Sequence, residues 1–596
     1  MSTNPFIYST PDQIEDPKEA LRLFVDVLKD YYLIESPGNT FINGPRGSGK
    51  SMMFRIMKPD CQKEKLKKAL HELSYFGVYI PIKHTSLDIE ELKYLEKRHG
   101  QNIFNEHFLI IYFSIAIFEK LNEENYSEYK SAKEEIVEFY NSFFVKYFNQ
   151  CCKASELKLK PIREDDNKNP NDIFKGIVSS LENIQEEFSK YLENLMNSDE
   201  NLNYTGSIFL YRNFLFPILK EIVKFSFLPQ NKPIYLLIDD ADFFNLPQTK
   251  ILNSWVSYRF TSIVCFKITT QLNYKTYYTS NGDFKIDSPH DYHEINLSEI
   301  YTSNIGDNYK NNVKAIVEKR LKLFCDIDVS AEEYFPLHKE QQNEYQKLFE
   351  QLNKEKGYDY AYRNARPDFM ISLSNEYAYN YGGFEQLVHL SSGIIRNFID
   401  ASFKMYDKAY KSIDTPIRNV TSIPVQIQNE EVRKYGNWIL EQLDKSIQDE
   451  YLSPIQSNKF RLLRNLIDSI GKTFRLYLES SSSERRKIAF YYDGDVDKEI
   501  KDVLKLGVSE GLLHESTHGS KTGLGRSKKY VLNKMLSPIY KLDPFSFSGY
   551  LYVTPDKLRL AIYSPEKFVT YIKERIRKGD KEEISLQAKL DFENEV

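Results

Sequence analysis

Gly44-Pro-Arg-Gly-Ser-Gly-Lys-Ser51 is the stretch that decides the fold, because it is a complete motif of the form G-x-x-x-x-G-K-S. Its glycines allow the backbone to turn so that successive N–H groups face phosphate oxygens. In such a loop the lysine, here Lys50, reaches the β- and γ-phosphates, and the hydroxyl of Ser51 ligates Mg²⁺. We therefore predict a site for ATP or GTP with Mg²⁺, formed by Gly44, Pro45, Arg46, Gly47, Ser48, Gly49, Lys50 and Ser51.

The sequence around this motif has the order that a phosphate-binding loop requires. Phe41–Asn43 reads as a short apolar strand, and the spacing of Met52, Met53, Ile56 and Met57 predicts a helix after Ser51. This order of strand, loop and helix favours a phosphate-binding site over the alternative, which is a glycine-rich turn with a surface lysine.

Ile234-Tyr-Leu-Leu-Ile-Asp239-Asp240 reads as a buried strand with two carboxylates at its end. We predict that Asp239 holds Mg²⁺, directly or through a water molecule. Asp240 takes the position where a glutamate usually polarises the attacking water, so we predict that it is the general base, with Asp242 as a fallback. The alternative is that Asp240 and Asp242 cap a following helix.

Further apolar runs predict strands at 78–82, 263–268 and 292–297, separated by helical segments that include a long insert at about 88–230. Strands joined by helices predict an α/β fold in which a parallel sheet is covered on both faces. From about residue 310 the pattern is helical, with helices predicted at 312–324, within 382–405 and at 432–447.

The carboxyl-terminal region predicts a winged helix. Helices are expected at 458–479, 484–491 and 496–506, followed by a β-hairpin that ends at 530–532. Basic residues concentrate on that hairpin and suit contacts with DNA phosphates: Lys521, Arg526, Lys528 and Lys529. The third helix is acidic, which leaves open the alternative that the winged helix packs on the ATPase core or on a partner protein.

The motifs together resemble the initiator clade of AAA+ ATPases, and more closely its prokaryotic relatives of the origin-recognition type. The resemblance covers residues 1 to about 540 and rests on Asn4-Pro-Phe, Phe24-Val25 in a predicted helix, Phe41–Ser51, Leu237–Asp242 and Gly393 with Arg396. It grades into the signal-transducing (STAND) ATPases, which share an ATPase, lid and winged-helix layout.

This resemblance implies roles for two further residues and for the winged helix. Thr270, at the end of the fourth strand, is expected to sense the γ-phosphate, although strand threonines also serve packing alone. Arg396, at the start of a lid helix, is expected to be a second sensor, and the alternative is an ordinary surface arginine. The wing is expected to enter a groove of DNA.

The resemblance also implies a division into domains. Residues 1–305 are expected to form the AAA+ core with its insert, and residues 306–450 a helical lid. Residues 451–545 are expected to form the winged helix, and residues 546–596 a carboxyl-terminal hairpin, helix and tail.

Two departures from the clade's pattern predict a slow ATPase. Asp240 replaces the usual glutamate, and residues 271–290 contain no arginine to complete a neighbour's site, so Arg259 is the nearest candidate. We therefore expect a switch that binds ATP, hydrolyses it slowly and controls duplex DNA engagement. The alternative is a STAND-like signalling or antiviral-defence regulator that assembles with itself or with an effector protein.

Composition excludes several other classes. Among 596 residues the five cysteines form no C-x-x-C pair, and the ten histidines show no metal-ligand spacing. No nucleophile–base motif supports a protease or nuclease. The longest apolar stretch, Phe108–Phe118, is about half of the roughly 20 residues that span a bilayer. We predict a cytoplasmic protein without a membrane segment.

Overall fold

The computed structural model describes residues 4–26, 31–82, 101–152, 157–163, 168–197, 204–271, 274–282, 284–297, 307–373, 379–412, 420–482, 484–519, 526–546 and 549–578. The chain forms two compact units. The sheet unit comprises Thr10–Gly44 and Lys50–Asn296, and the helical unit comprises Met1–Ser9, Pro45–Gly49 and Leu297–Val596. The finer division of the helical unit into lid and winged helix stays a prediction.

A five-stranded parallel sheet is the centre of the sheet unit. Its strands are β1 Thr40–Asn43, β2 Phe76–Pro81, β3 Ile234–Asp239, β4 Val264–Thr270 and β5 His293–Asn296, in the order β2-β3-β4-β1-β5. Every predicted strand is confirmed to within two residues at each end. The residues of β1, β3 and β4 are all buried, as a parallel sheet with covered faces requires. The predicted α/β fold with a parallel sheet is therefore confirmed.

The register of the sheet places its ligand-binding edge. Asn43 at the end of β1 pairs with Thr270 in β4, and Ile238 in β3 pairs with Ile268. Because all five strands run parallel, their carboxyl ends share one edge, where open α/β sheets bind ligands. The phosphate-binding loop begins at that edge, directly after Asn43, and Asp239 ends β3 at the same edge.

Helices surround the sheet, and the predicted helical insert is confirmed where the structure describes it. The insert contains Gln101–Asn122, Ala132–Phe139, Val145–Cys151, Pro170–Asn197 and Phe216–Ile222. The other helices of this unit are Pro17–Leu23, Tyr31–Glu35, Lys50–Met57, Pro59–Leu66 and Leu246–Ser257. The prediction of a helix through Phe24-Val25 is wrong, because Phe24 is extended and ends the first helix.

The middle of the helical unit is all-helical, as predicted. Its helices are Asp307–Cys325, Ala331–Tyr334, Lys339–Lys356, Tyr358–Ser372, Phe384–Leu390, Ile395–Ser412 and Val425–Gln448. The predicted helix within 382–405 is two helices, because Ser392 and Gly393 have φ of 58° and 73° and turn the chain. The antiparallel pair Lys339–Lys356 and Tyr358–Ser372 was not predicted.

The carboxyl-terminal part of this unit packs helices on a four-stranded sheet. The strands are β6 Ala489–Tyr491, β7 Leu513–Gly519, β8 Arg526–Leu532 and β9 Tyr550–Tyr552, in the order β7-β8-β6-β9. The helices are Pro454–Glu479, Lys498–Ser509, Ser537–Tyr540, Pro555–Tyr563 and Pro565–Arg577.

The predicted hairpin and the helices on its amino-terminal side are confirmed with one exception. The helix predicted at 484–491 is wrong, because β6 lies there, fully buried and paired with both β8 and β9. Residues 549–578 form one strand and two helices rather than the expected hairpin and helix. None of the helices described is long and apolar enough to cross a lipid bilayer.

Candidate functional site

The start of the phosphate-binding loop is fixed to the sheet. Gly44 N–H donates to the carbonyl of Thr270 at 3.1 Å, which extends the β1–β4 pairing by one residue. Lys50 opens the helix Lys50–Met57 and is 5% exposed, and its Nζ donates to the Gly44 carbonyl at 2.8 Å. A buried ammonium at a helix amino terminus concentrates positive charge at this loop, as an anionic phosphate requires.

The tip of the loop, Pro45–Gly49, belongs to the helical unit. Gly47 and Gly49 have φ of +79° and +102°, a region that residues with a Cβ atom rarely adopt. The Gly47 carbonyl accepts a hydrogen bond from Arg396 N–H at 3.1 Å. A Cβ atom at residue 47 would lie 2.6 Å from the Cβ of Arg396, so the close approach of these two backbones requires glycine.

Two polar groups near this tip have the chemistry to bind an anion. The buried Oγ of Ser48 and the buried Nε of Arg396 have no hydrogen-bond partner among the described residues. Burying a donor without an acceptor costs about 1–3 kcal/mol each, which a phosphate oxygen would offset. Burial raises the pKa of Asp400, one turn further along the helix Ile395–Ser412, and the charge of Arg396 partly offsets this rise. The predicted phosphate site fits these groups.

Asp239 ends β3 as a buried carboxylate, 3% exposed. Its Oδ2 accepts from the Tyr79 hydroxyl at 2.9 Å, and its Oδ1 accepts from the Thr269 hydroxyl. Burial, followed by the charge of Asp239, raises the pKa of Tyr79, so this hydroxyl stays a donor. No lysine, arginine or histidine of the described ranges forms an ion pair with Asp239. A buried carboxylate whose partners are neutral hydroxyls suits a hard divalent cation, and with the Ser51 hydroxyl the donor set is all oxygen, as Mg²⁺ prefers.

Asp240 follows in a left-handed conformation, with φ of 58°. Its N–H donates to Oγ1 of Thr269 at 2.9 Å, which holds the backbone in that conformation. Its side chain makes no capping hydrogen bond to the short turn Ala241–Phe243, so the helix-capping alternative has no support at Asp240. The buried Oδ1 of Asp242 has no partner in the described part of the chain.

The two threonines at the end of β4 face different surroundings, because successive strand side chains point to opposite faces. The hydroxyl of Thr270, the predicted sensor, donates to the carbonyl of Gln271 at 3.1 Å. Thr269 is the threonine that contacts Asp239. Sequence reasoning missed both Thr269 and Tyr79. The signal for Thr269 was available only through the sheet register, which sets Ile268 beside Ile238.

Arg259, the nearest candidate for a residue that completes a neighbour's site, already has a partner. Its Nε lies 2.7 Å from Oδ1 of Asp291, whose side chain is 3% exposed. Removing Arg259 from this pair would leave a buried carboxylate uncompensated. The ion pair therefore favours a structural role for Arg259.

The two lysines of the hairpin β7–β8 whose side chains the structure describes, Lys528 and Lys529, differ in their surroundings. Lys521 lies outside the described residues, and Arg526 is the first residue of β8. Lys528 forms a cross-strand ion pair with Glu515 at 2.7 Å and is half exposed. Lys529 is buried over the ring of Tyr550, and this burial lowers its pKa. Of these two lysines, Lys528 is the exposed one and Lys529 is buried.

The turn that precedes Arg396 is hydrogen-bonded to the segment that follows this hairpin. The Oγ of Ser392, in the turn before the helix Ile395–Ser412, accepts from Lys534 N–H at 2.7 Å. Lys534 is two residues beyond the end of β8, and its Nζ donates to the carbonyls of Pro544 and Ser546. Burial raises the pKa of Glu510, and the charge of Arg46 in the loop opposes this rise.

Comparison with protein-family models agrees with this architecture. The model of the ORC-CDC6-like family matches residues 4–358 and 324–551. The comparison with curated proteins gave no match. Among solved structures, the ORC2 protein of Aeropyrum pernix, determined as ADPNP-ADP complexes, is 10% identical, with 96% of this chain and 98% of that chain covered and a TM-score of 0.30. CDC6P from Pyrobaculum aerophilum is 13% identical over the same shares, with a TM-score of 0.26. Likeness at these TM-scores supports no conclusion about the fold, which rests on the sheet order and the family match.

Proposed function

Because this chain belongs to the ORC-CDC6-like family of AAA+ ATPases, we propose that it is an ATP-dependent switch that controls its own engagement with duplex DNA. In this proposal ATP binds with Mg²⁺, hydrolysis is slow, and the hairpin β7–β8 acts as the wing of a DNA-binding winged helix.

The observation that carries the proposal is the setting of Asp239. A buried carboxylate with hydroxyl partners ends one strand of the sheet, and a complete phosphate-binding motif follows the end of another. When bound, Mg²⁺ would neutralise charge on the transferred phosphoryl group. Lys50 would bind the β- and γ-phosphates, and Ser51 and Asp239 would hold the cation.

Slow hydrolysis follows from the residues that should activate water. Asp240 is one methylene shorter than the usual glutamate, and its backbone is held by Thr269. Arg259 is engaged with Asp291. Each lost catalytic contact of about 3 kcal/mol lowers the rate roughly a hundredfold, so we expect about one turnover per minute or fewer.

The link from nucleotide to DNA would run through Arg396. We propose that its guanidinium and Thr270 distinguish ATP from ADP. The hydrogen bond between Ser392 and Lys534 would then pass a movement of the turn before Arg396 to the segment after β8. Lys521, Arg526 and Lys528 would contact phosphates, with a smaller contribution from the buried Lys529.

Two further parts of the proposal concern partners and location. We propose that the helical insert of the sheet unit contacts another copy of the chain or an effector protein, and a cytoplasmic location is expected. The STAND-like defence alternative is not favoured, because the family match is to ORC-CDC6-like proteins over most of the chain.

Steady-state and single-turnover ATP hydrolysis by the full chain tests the enzymatic part. We expect slow turnover that Asp240→Asn lowers further and that Asp242→Asn leaves near the parent rate. Rapid turnover by the parent that Asp240→Asn abolishes would show that Asp240 is a fully competent base and that the switch assignment is wrong.

A further inference from the structure

The hydroxyl of Tyr79 in β2 donates to Asp239 Oδ2 at 2.9 Å, while the hydroxyl of Thr269 in β4 donates to the other oxygen. Since β3 lies between β2 and β4, the carboxylate is held from both sides by the neighbouring strands. Each carboxylate oxygen has two acceptor sites, so each keeps one for a further partner. The two hydroxyls therefore fix the plane of the carboxylate and leave one acceptor site on each oxygen for a cation.

The ring of Tyr79 is itself contacted by the residue that follows the helix Lys50–Met57. Lys58, directly after the helix Lys50–Met57, places its Nζ 4.3 Å from the centre of the Tyr79 ring. A cation over an aromatic face is worth about 0.5–2 kcal/mol. Tyr79 thus contacts the segment carrying the phosphate loop through its ring and Asp239 through its hydroxyl.

We propose that Tyr79 is a positioning residue for Mg²⁺ binding. Together with Thr269, it orients the Asp239 carboxylate that would hold the cation. The inference rests on the proposed nucleotide function and adds to it a residue that the sequence motifs do not mark. Partners that orient metal ligands typically change metal affinity 10- to 100-fold when removed. The effect of Tyr79 should therefore appear in the Mg²⁺-dependent part of nucleotide binding.

The test is calorimetric titration of the full chain with ATP, once in excess MgCl₂ and once in EDTA. Tyr79→Phe keeps the ring and removes the hydroxyl. We expect the dissociation constant for ATP in Mg²⁺ to rise about tenfold, while the constant in EDTA stays at the parent value. Thr269→Val should give the same pattern, and Thr269→Ser, which keeps the hydroxyl, should restore the parent behaviour.

Tyr235→Phe is the matched control, because Tyr235 lies in β3 of the same sheet and its hydroxyl donates to the Glu35 carbonyl at 2.9 Å. It should change neither constant. A Tyr79→Phe variant with the parent Mg²⁺ dependence, or with equal losses in both media, would overturn the positioning role. A parent chain that binds no ATP in either medium would instead contradict the proposed function as well. Thr269→Val supplies the readout if Tyr79→Phe does not fold.

Discussion

The residues proposed to bind nucleotide and the basic hairpin β7–β8 differ in what their charged and polar groups already contact. Among the proposed nucleotide-binding residues of the helical unit, the buried Ser48 Oγ and Arg396 Nε lack partners among the described residues, and in the sheet unit Asp239 accepts hydrogen bonds from neutral hydroxyls. On the hairpin, Lys528 is paired with Glu515 and Lys529 is buried over Tyr550. Buried polar groups without partners indicate a binding site more strongly than basic residues that already have partners.

The largest effect should follow from Lys50→Ala. The variant removes a buried charge that would contact phosphate, and hydrogen bonds to charged groups contribute about 1.5–3 kcal/mol. We expect ATP affinity to fall about 30-fold or more in calorimetry, which corresponds to about 2 kcal/mol. Lys58→Ala, on the same helical segment, should have a smaller effect. Unchanged ATP affinity in Lys50→Ala would contradict the assignment of this loop as the nucleotide site.

Charge reversal on the hairpin β7–β8 tests whether its basic residues contact DNA. Arg526→Glu with Lys528→Glu should lower the slope of log affinity against log salt on duplex DNA by about two, from about −3 to −4 in the parent. The weakening should be about tenfold at low salt and alike for all sequences, because phosphate contacts read no bases.

The matched control is Lys567→Glu with Lys573→Glu, which changes the net charge equally on exposed positions of the helix Pro565–Arg577. If both double variants weaken DNA binding equally, net charge and not the hairpin carries the affinity, and the hairpin is a packing element.

Arg396→Ala sharpens the comparison at the residue that we propose couples nucleotide to the hairpin. The hydrogen bond to Gly47 uses the backbone N–H of Arg396, so the variant keeps this contact and loses the guanidinium. We expect the preference for ATP over ADP to fall about five- to tenfold while ADP affinity is nearly unchanged. Arg396→Lys should retain part of the preference. Equal losses for ATP and ADP would show that the residue is structural.

Ser392→Ala should have the smallest effect. It should change both the stability of the fold and the coupling between ATP binding and DNA binding. It leaves the buried N–H of Lys534 without its acceptor, which costs about 1 kcal/mol. We expect a lower free energy of unfolding and a smaller influence of ATP on DNA affinity. Ser402→Ala, at an equally buried serine of the next helix, should lower stability without changing that influence. A Ser392→Ala variant with parent coupling would exclude this hydrogen bond as the link.

The sequence was sufficient for the parts of the fold that local patterns determine. The five parallel strands were predicted because each is a short apolar run beside helical segments, and the phosphate-binding loop because its glycines and Lys50 are adjacent in sequence. The helix predicted at 484–491 failed because Ala489–Tyr491 is too short a run for periodicity to separate strand from helix, and its pairing with β8 and β9 decided the outcome.

The partners of Asp239 could not be predicted for a different reason. Tyr79 lies 160 residues away in the chain, and Thr269 lies 30 residues away. Nothing in the local sequence distinguishes them from other strand residues, and only the sheet order brings them to the carboxylate. The burial of Lys529 is likewise a consequence of its packing on Tyr550, which local charge counting does not reveal.

The most direct test of the switch is a titration of duplex DNA with the full chain, measured by fluorescence anisotropy in ADP and in a non-hydrolysable ATP analogue. Repeating each titration over a range of salt concentrations separates phosphate contacts from other contributions. We predict salt-sensitive binding whose affinity differs about fivefold or more between the two nucleotides, the usual size of an allosteric coupling. Absence of binding at low salt, or the same affinity in both nucleotides, would contradict the account.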